Sequence, residues 1–191
     1  MAIKHYIART VSENPGYMQA QVVVPASTEL YAGQVVVAET LDAGIKNYGN
    51  WDVYTAEQVT DAATQNIAIV LNGTFETLPD GRRPDGQPDY TQYVYQEGEV
   101  ATAHRLLPEV RFEVSVDSCD ETVAAATIVP GDNLIPKAGQ YELTYSAKGT
   151  AVTAKNYLQV DAVKYFRLGG QFGNDFAKTM VVRAKSTDAT A

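Results

Sequence analysis

Arg111-Phe-Glu-Val-Ser-Val116 sets the reading of the whole chain. Phe112, Val114 and Val116 fall on one side of an extended backbone; Arg111, Glu113 and Ser115 fall on the other. A strand with one buried face requires this period of two, because successive side chains point to opposite faces. Gln140-Tyr-Glu-Leu-Thr-Tyr145 repeats it, with Tyr141, Leu143 and Tyr145 on one face. Outward from these two, short runs rich in Val, Ile, Thr and Tyr recur between Gly, Pro, Asn and Asp, which is the signature of antiparallel β-structure. Strands are predicted at Ile3–Arg9, Ala20–Val24, Gln34–Ala38, Ile67–Leu71, Gln92–Tyr95, Val100–His104, Arg111–Val116, Tyr141–Tyr145, Tyr157–Phe166 and Lys178–Ala184. The expected fold is mainly β: an antiparallel β-barrel or sandwich-like domain with one or two short helices and a long exposed loop.

Two stretches depart from the period of two. Thr55 and Gln58 stand at capping-box spacing before Val59-Thr-Asp-Ala-Ala-Thr64, and Ser118 and Glu121 do so before Thr122-Val-Ala-Ala-Ala126. Such pairs satisfy the orphan N–H groups of a first turn, so short helices are expected over 55–64 and 118–126. Helices of this length do not stand alone and must dock on a sheet. Leu78-Pro-Asp-Gly-Arg-Arg-Pro-Asp-Gly-Gln-Pro-Asp89 holds three prolines and two Asp-Gly pairs, and reads as successive exposed turns. The expected organisation is one β-rich domain over 1–185. Within it, 1–12 is a candidate extended arm and 78–90 an exposed loop; 186–191 form a flexible tail.

A local pattern recurs at Gly33-Gln-Val-Val36, Gly98-Glu-Val-Ala101 and Gly131-Asp-Asn-Leu134. Glycine supplies an unusual turn dihedral and the apolar residue then enters a sheet. The unequal spacing excludes a solenoid, so these are read as three turn-to-strand entries into a barrel-like core.

Composition removes functions. The 191 residues carry 15 Lys+Arg against 23 Asp+Glu, a net charge of −8. Nucleic-acid binding needs a concentrated basic face, so no nucleic-acid partner is expected. A single cysteine, Cys119, excludes an internal disulfide framework. The first residues alternate in character and the longest apolar runs resemble Ile67-Ala-Ile-Val-Leu71, far short of a span of about 18 to 20 apolar residues. The expectation is a chain made in a host cytoplasm, with no membrane partner.

Catalytic candidates are few, and each has a plainer reading. His104 with Glu97, Glu99 or Asp117 offers a base with an orienting carboxylate, but it stands where a strand ends. Asp80, Asp85 and Asp89 offer oxygen ligands, yet they miss the calcium-loop pattern, and Arg82 and Arg83 repel a cation. Cys119 precedes a predicted helix, but Asp120 and Glu121 oppose its thiolate. Gly169-Gly-Gln-Phe-Gly173 lies between two strand-like runs and reads as a hairpin turn rather than a nucleotide loop. No cofactor, metal or enzymatic activity is expected. Tyrosine is the enriched aromatic, with 12 Tyr against 5 Phe and 1 Trp. Its apolar ring and water-tolerant hydroxyl suit both half-exposed sheet faces and interfaces, which brings Tyr90, Tyr93 and Tyr95 forward as interface candidates.

Tyr95-Gln-Glu-Gly-Glu-Val-Ala-Thr-Ala103 and Pro130-Gly-Asp-Asn-Leu-Ile135, with Ile67–Gly73 before them and Arg111–Val116 between them, give a pattern over residues 30 to 145 that resembles the head decoration, or capsid cement, proteins of tailed phages. The resemblance implies a structural virion protein on the outer surface of a phage capsid. Its partner would be the major capsid protein, whose subunits it would bridge as a homotrimer. An N-terminal strand added to a partner's sheet is a plausible anchor, which makes Ile3, Tyr6 and Ile7 candidates. On this expectation, removing residues 1–12 abolishes capsid binding and leaves the domain folded. A phage tail or baseplate component is the alternative, as is a carbohydrate-binding β-module using Trp51 and tyrosines.

Charge is unevenly spread. Residues 1–136 hold 7 Lys+Arg and 19 Asp+Glu, a balance of −12; residues 137–191 hold 8 and 4, a balance of +4. Such asymmetry can orient a protein on a charged lattice, so Lys164, Arg167 and Lys178 are expected to face a partner.

Overall fold

A computed structural model describes residues 4–11, 19–42, 52–72, 91–167 and 176–187. Its strands are β1 (Ala8–Thr10), β2 (Gln19–Val23), β3 (Leu30–Tyr31), β4 (Val35–Val37), β5 (Val53–Thr55), β6 (Ile67–Val70) and β7 (Val94–Tyr95). There follow β8 (Val100–Arg105), β9 (Arg111–Ser115), the helix α1 (Glu121–Ala125), β10 (Asn133–Pro136), β11 (Leu143–Ser146), β12 (Asn156–Arg167) and β13 (Phe176–Ser186). A six-stranded sheet has the order β1-β9-β13-β12-β10-β11, a five-stranded sheet β4-β6-β8-β2-β5, and β3 pairs with β7. The protein is mainly β, as expected. All neighbours are antiparallel except β2 and β5, which run parallel with Gln21 opposite Val53.

The middle of the molecule is made by two strands with no polar face. Val35–Val37 and Ile67–Val70 are buried at every position. Val35, Val37, Ile67 and Ile69 enter a core shared with the six-stranded sheet, where they meet Phe112, Val114, Leu134, Leu158, Met180 and Val182. Val36, Ala68 and Val70 point the other way, into a second core with Val22, Leu30, Ala101, Ala103 and Tyr95. The second core is rich in alanine, and β3 and β7 contribute Leu30 and Tyr95 to it.

On β9 the alternation holds only in part. Phe112 and Val114 fill the core, but Glu113 and Ser115, expected outward, are buried too. β1 pairs beside them: Arg9 lies opposite Glu113 and Ala8 opposite Val114. Arg9 donates to Glu113 Oε2 from Nη2 at 2.6 Å and from Nε at 3.0 Å, and Thr179 donates to Oε1 at 2.8 Å. Burial alone pushes the Glu113 carboxyl up, but these donors outweigh it and hold the group below the usual carboxylate range. Ser115 Oγ accepts from the Ile7 N–H at 3.0 Å.

The N-terminal stretch is therefore not a free arm over 7–10. Ile7 and Ala8 are buried and β1 is paired inside the chain's own sheet. Removing residues 1–12 is expected to destabilise the domain rather than leave it folded, which a thermal melt of the truncated chain would show.

The helix expected over 55–64 is absent. Thr55 ends β5, the Ala56 N–H donates to Val23 O at 3.0 Å, and Glu57 exchanges backbone bonds with Val37. With those groups claimed by the sheet, Gln65 Oε1 accepts the Thr60 and Asp61 N–H groups and folds 60–65 into a turn. The second helix exists but starts later. Asp120, not Ser118, is its cap, with Oδ1 accepting from the Thr122 and Val123 N–H groups at 3.0 and 3.3 Å. Ser118 is instead buried, 2.7 Å from Ser115 Oγ.

All three glycine entries are turns of one design. Gly33, Gly98 and Gly131 have φ of +95°, +79° and +96°. The next residue, Gln34, Glu99 or Asp132, donates its N–H to the carbonyl three residues back. Its side chain then accepts that same residue's N–H, from Tyr31 at 3.0 Å, Gln96 at 2.8 Å and Val129 at 2.8 Å. Positive φ at the third position is what a type II turn demands. Gly33 also lies against the other sheet: an added Cβ would sit 2.4 Å from Ser118 Cβ, whereas at Gly98 it would meet nothing. Gly98→Ala is expected to cost about 1–2 kcal/mol for the dihedral alone, and Gly33→Ala a further 1–3 kcal/mol or so for overpacking. Denaturant midpoints of the two variants measure the difference.

Candidate functional site

The long hairpin β12–β13 runs past its neighbours. β9 pairs with β13 only from Thr179 to Arg183, and β10 pairs with β12 at Leu158 and Gln159. The last contact on that edge is at Val160, whose N–H donates to Asp132 O and whose carbonyl accepts from Gly131 N–H, both at 2.8 Å. There the ladder to β13 shifts register between Val160 and Ala162. Such bulges sharpen twist and are common where pairing ends. Beyond it, Ala162–Arg167 pair with Phe176–Val181 and, among the described residues, with no strand on their other side.

This ribbon carries Lys164 opposite Thr179 and Tyr165 opposite Lys178. Lys164 is exposed, Lys178 is half-buried, and Tyr165 is 71% exposed, the largest value among the described large hydrophobic residues. Alternation places Lys164 on the Glu113 side of the sheet, as its pairing with Thr179 requires, and Tyr165 and Lys178 on the opposite face. Lys164 lowers the Glu113 carboxyl only as a minor cause after burial, Arg9 and Thr179. The negative charge at the root of the ribbon is already engaged: Asp161 meets Arg183 at 3.1 Å and Arg111 at 3.3 Å. The expected trio of cations is thus brought to one projection, with Arg167 placed by its backbone pairing to Phe176.

Other expected interface residues have structural work. Tyr95 is buried in the second core and donates to Leu71 O at 3.3 Å. Tyr93 lies edge-on to it, 5.0 Å between ring centres, and donates to Glu99 Oε1 at 2.8 Å. Burial and that carboxylate push the Tyr93 hydroxyl up to about 12. Tyr145 likewise donates to Asp132 at 3.2 Å and Tyr31 to Glu142 at 2.7 Å. Tyr6 stacks on Tyr31 with ring centres 4.0 Å apart. Ile7 is in the interior. Most of these tyrosines therefore pin carboxylates or carbonyls inside the chain, a role that composition does not reveal. Ile3, Tyr90, Trp51, the 78–90 loop with Asp80, Asp85 and Asp89, the Gly169–Gly173 cluster and most of the 186–191 tail lie outside the described residues.

The catalytic candidates resolve into packing. His104 is fully buried, edge-on to Phe112 at 5.3 Å, and its Nδ1 lies 2.7 Å from Arg105 O. A carbonyl only accepts, so Nδ1 carries the proton. Burial holds the imidazole below its ordinary range, with the Arg105 carbonyl opposing in part. Cys119 is buried, and its thiol is pushed up first by burial and then by Asp120, Glu142 and Asp117. Among the described residues, no three His, Cys, Asp or Glu side chains converge as metal ligands. A half-open cavity of about 260 Å³ lies between Glu39, Tyr54, Asn66 and Arg105 over Ala38, Ile67 and Ala68. Its polar residues come from four separate segments, so no sequence motif marked it.

The chain matches no known protein family, curated protein or solved structure.

Because His104 is depressed in the folded state, its contribution to stability is complete above the unfolded value of about 6.5 and is lost as pH falls below it. Chemical denaturation between pH 7.5 and 5 is expected to show falling stability, and His104→Leu a flatter dependence across that window.

Proposed function

We propose that the protein is a structural component of a phage virion that binds the outer surface of the capsid and bridges capsid subunits, acting as a cement. The observation that carries this reading is the projecting β12–β13 ribbon. It presents Lys164, Tyr165 and Lys178 past the paired stretches of β9 and β10, on a chain whose net charge is −8. A cation-bearing projection with an exposed aromatic on an acidic body suits oriented docking on a charged lattice. Many copies acting on such a lattice need only weak individual contacts, because avidity multiplies them. The turn-to-strand entries at Gly98 and Gly131 support the resemblance to decoration proteins, since they lead into β8 and β10. A homotrimer belongs to the same proposal.

The deciding experiment is co-sedimentation of the purified protein with mature and with unexpanded phage heads. Binding to mature heads is expected, weakened about tenfold or more by Lys164→Glu with Lys178→Glu, whose exposed or half-buried positions spare the fold. Absence of the protein from mature heads, or recovery with tails alone, overturns the reading. Light scattering of the free protein tests the trimer.

A further inference from the structure

We infer that the outer edge of β12 from Ala162 to Arg167 is an acceptor for an added β-strand, and that its occupant is an extended acidic segment of the partner protein. This inference deepens the docking proposal and rests on it for the identity of the partner.

The first ground is how the other sheet edges are closed. On β11, Leu143 O accepts from Asp120 N–H, and Tyr145 N–H donates to Thr122 Oγ1. On β1, Ala8 N–H donates to Asn72 Oδ1 and its carbonyl accepts from Asn72 N–H. On β4, the Val35 and Val37 N–H groups donate to Tyr141 O and Glu57 O, and on β5 the Thr55 N–H donates to Thr40 O. Among the described residues, β12 is capped only as far as Val160. From Ala162 onward, every second residue of its ladder presents an N–H and a carbonyl away from β13. An edge of this kind is a ready template for another strand.

The second ground is charge, which selects the occupant. Edge lysines block self-pairing of identical strands, because like charges meet across the new ladder. Two β12 edges brought together antiparallel about Lys164 would face that lysine with its own copy. The six residues Ala162–Arg167 include two cations and no anion, and Lys178 lies directly opposite Tyr165 in the ladder. Two carboxylates near this edge among the described residues are bound already: Glu113 by Arg9 and Thr179, Asp161 by Arg183 and Arg111. A strand with glutamate or aspartate at alternate positions matches this edge in hydrogen bonding and in sign. Tyr165, 71% exposed, offers the ring against which an apolar residue of that strand packs.

The test uses the full-length protein and a synthetic peptide of about eight residues alternating valine and glutamate. Its controls are the valine–lysine counterpart and the acidic peptide N-methylated at alternate residues, which keeps the charge and removes the ladder. Hydrogen exchange by NMR is expected to slow at amides within 162–167 with the acidic peptide alone, and Lys164→Glu with Lys178→Glu to weaken that binding about tenfold or more. Unchanged exchange at millimolar acidic peptide overturns the inference, as does equal binding of the N-methylated or lysine peptide. Heads that bind the protein while the acidic peptide neither protects this edge nor competes would leave the capsid reading standing and remove this one. Peptide protection of the edge with no binding to any head would do the reverse.

Discussion

Val35–Val37 and Ile67–Val70 must be buried on both faces, and the rest of the molecule is arranged to satisfy that demand. An exposed strand face tolerates water, but a run of β-branched residues with no polar alternate does not. One face of the β4–β6 pair needs a sheet over it, which β9, β13, β12 and β10 provide through Phe112, Met180, Leu158 and Leu134. The other face needs a second cover, which Val22, Ala101 and Ala103 of the five-stranded sheet supply together with Leu30 of β3 and Tyr95 of β7.

Polar groups then secure the seams between these layers. Glu113 draws β1 onto the six-stranded sheet through Arg9 and Thr179. Asp132 accepts from Val129 N–H, Lys148 N–H and Tyr145 Oη, and so holds the entry to β10 from three sides. Each is a buried carboxylate with its acceptor positions used, which is the condition for an anion to be tolerated there. Among the described residues, the exposed Lys164 and the exposed ring of Tyr165 stand side by side on the part of β12 beyond β10.

The fold was legible wherever local pattern and tertiary demand agree. Phe112 and Val114 alternate as a half-buried strand should, and they are core residues. Gly33, Gly98 and Gly131 were marked by their sequence neighbours and do take the turn dihedral. The reading failed where a distant segment claimed the backbone. Thr55–Thr64 has helical spacing, but Val23 and Val37 take the N–H groups of Ala56 and Glu57. The exposed site was legible as charge, not as shape. Lys164 and Lys178 stand out in a basic C-terminal third, whereas Tyr93 and Tyr95 looked equally available and are bound inside.

By itself the sequence determined the β class, the positions of most strands, the turns that need glycine and the sign of the charge on the last third of the chain. These follow from side-chain period, backbone sterics and composition, all of which act within a few residues. Only the tertiary structure decided which strands are neighbours, and with it everything that depends on adjacency: the parallel β2–β5 pair, the engagement of Glu113 and Ser115 by Arg9 and Ile7 from the neighbouring edge, and the point at which β12 parts from β10. Adjacency is fixed by hydrogen bonds and apolar contacts between residues far apart in the chain, and no local pattern encodes which distant strand will supply them.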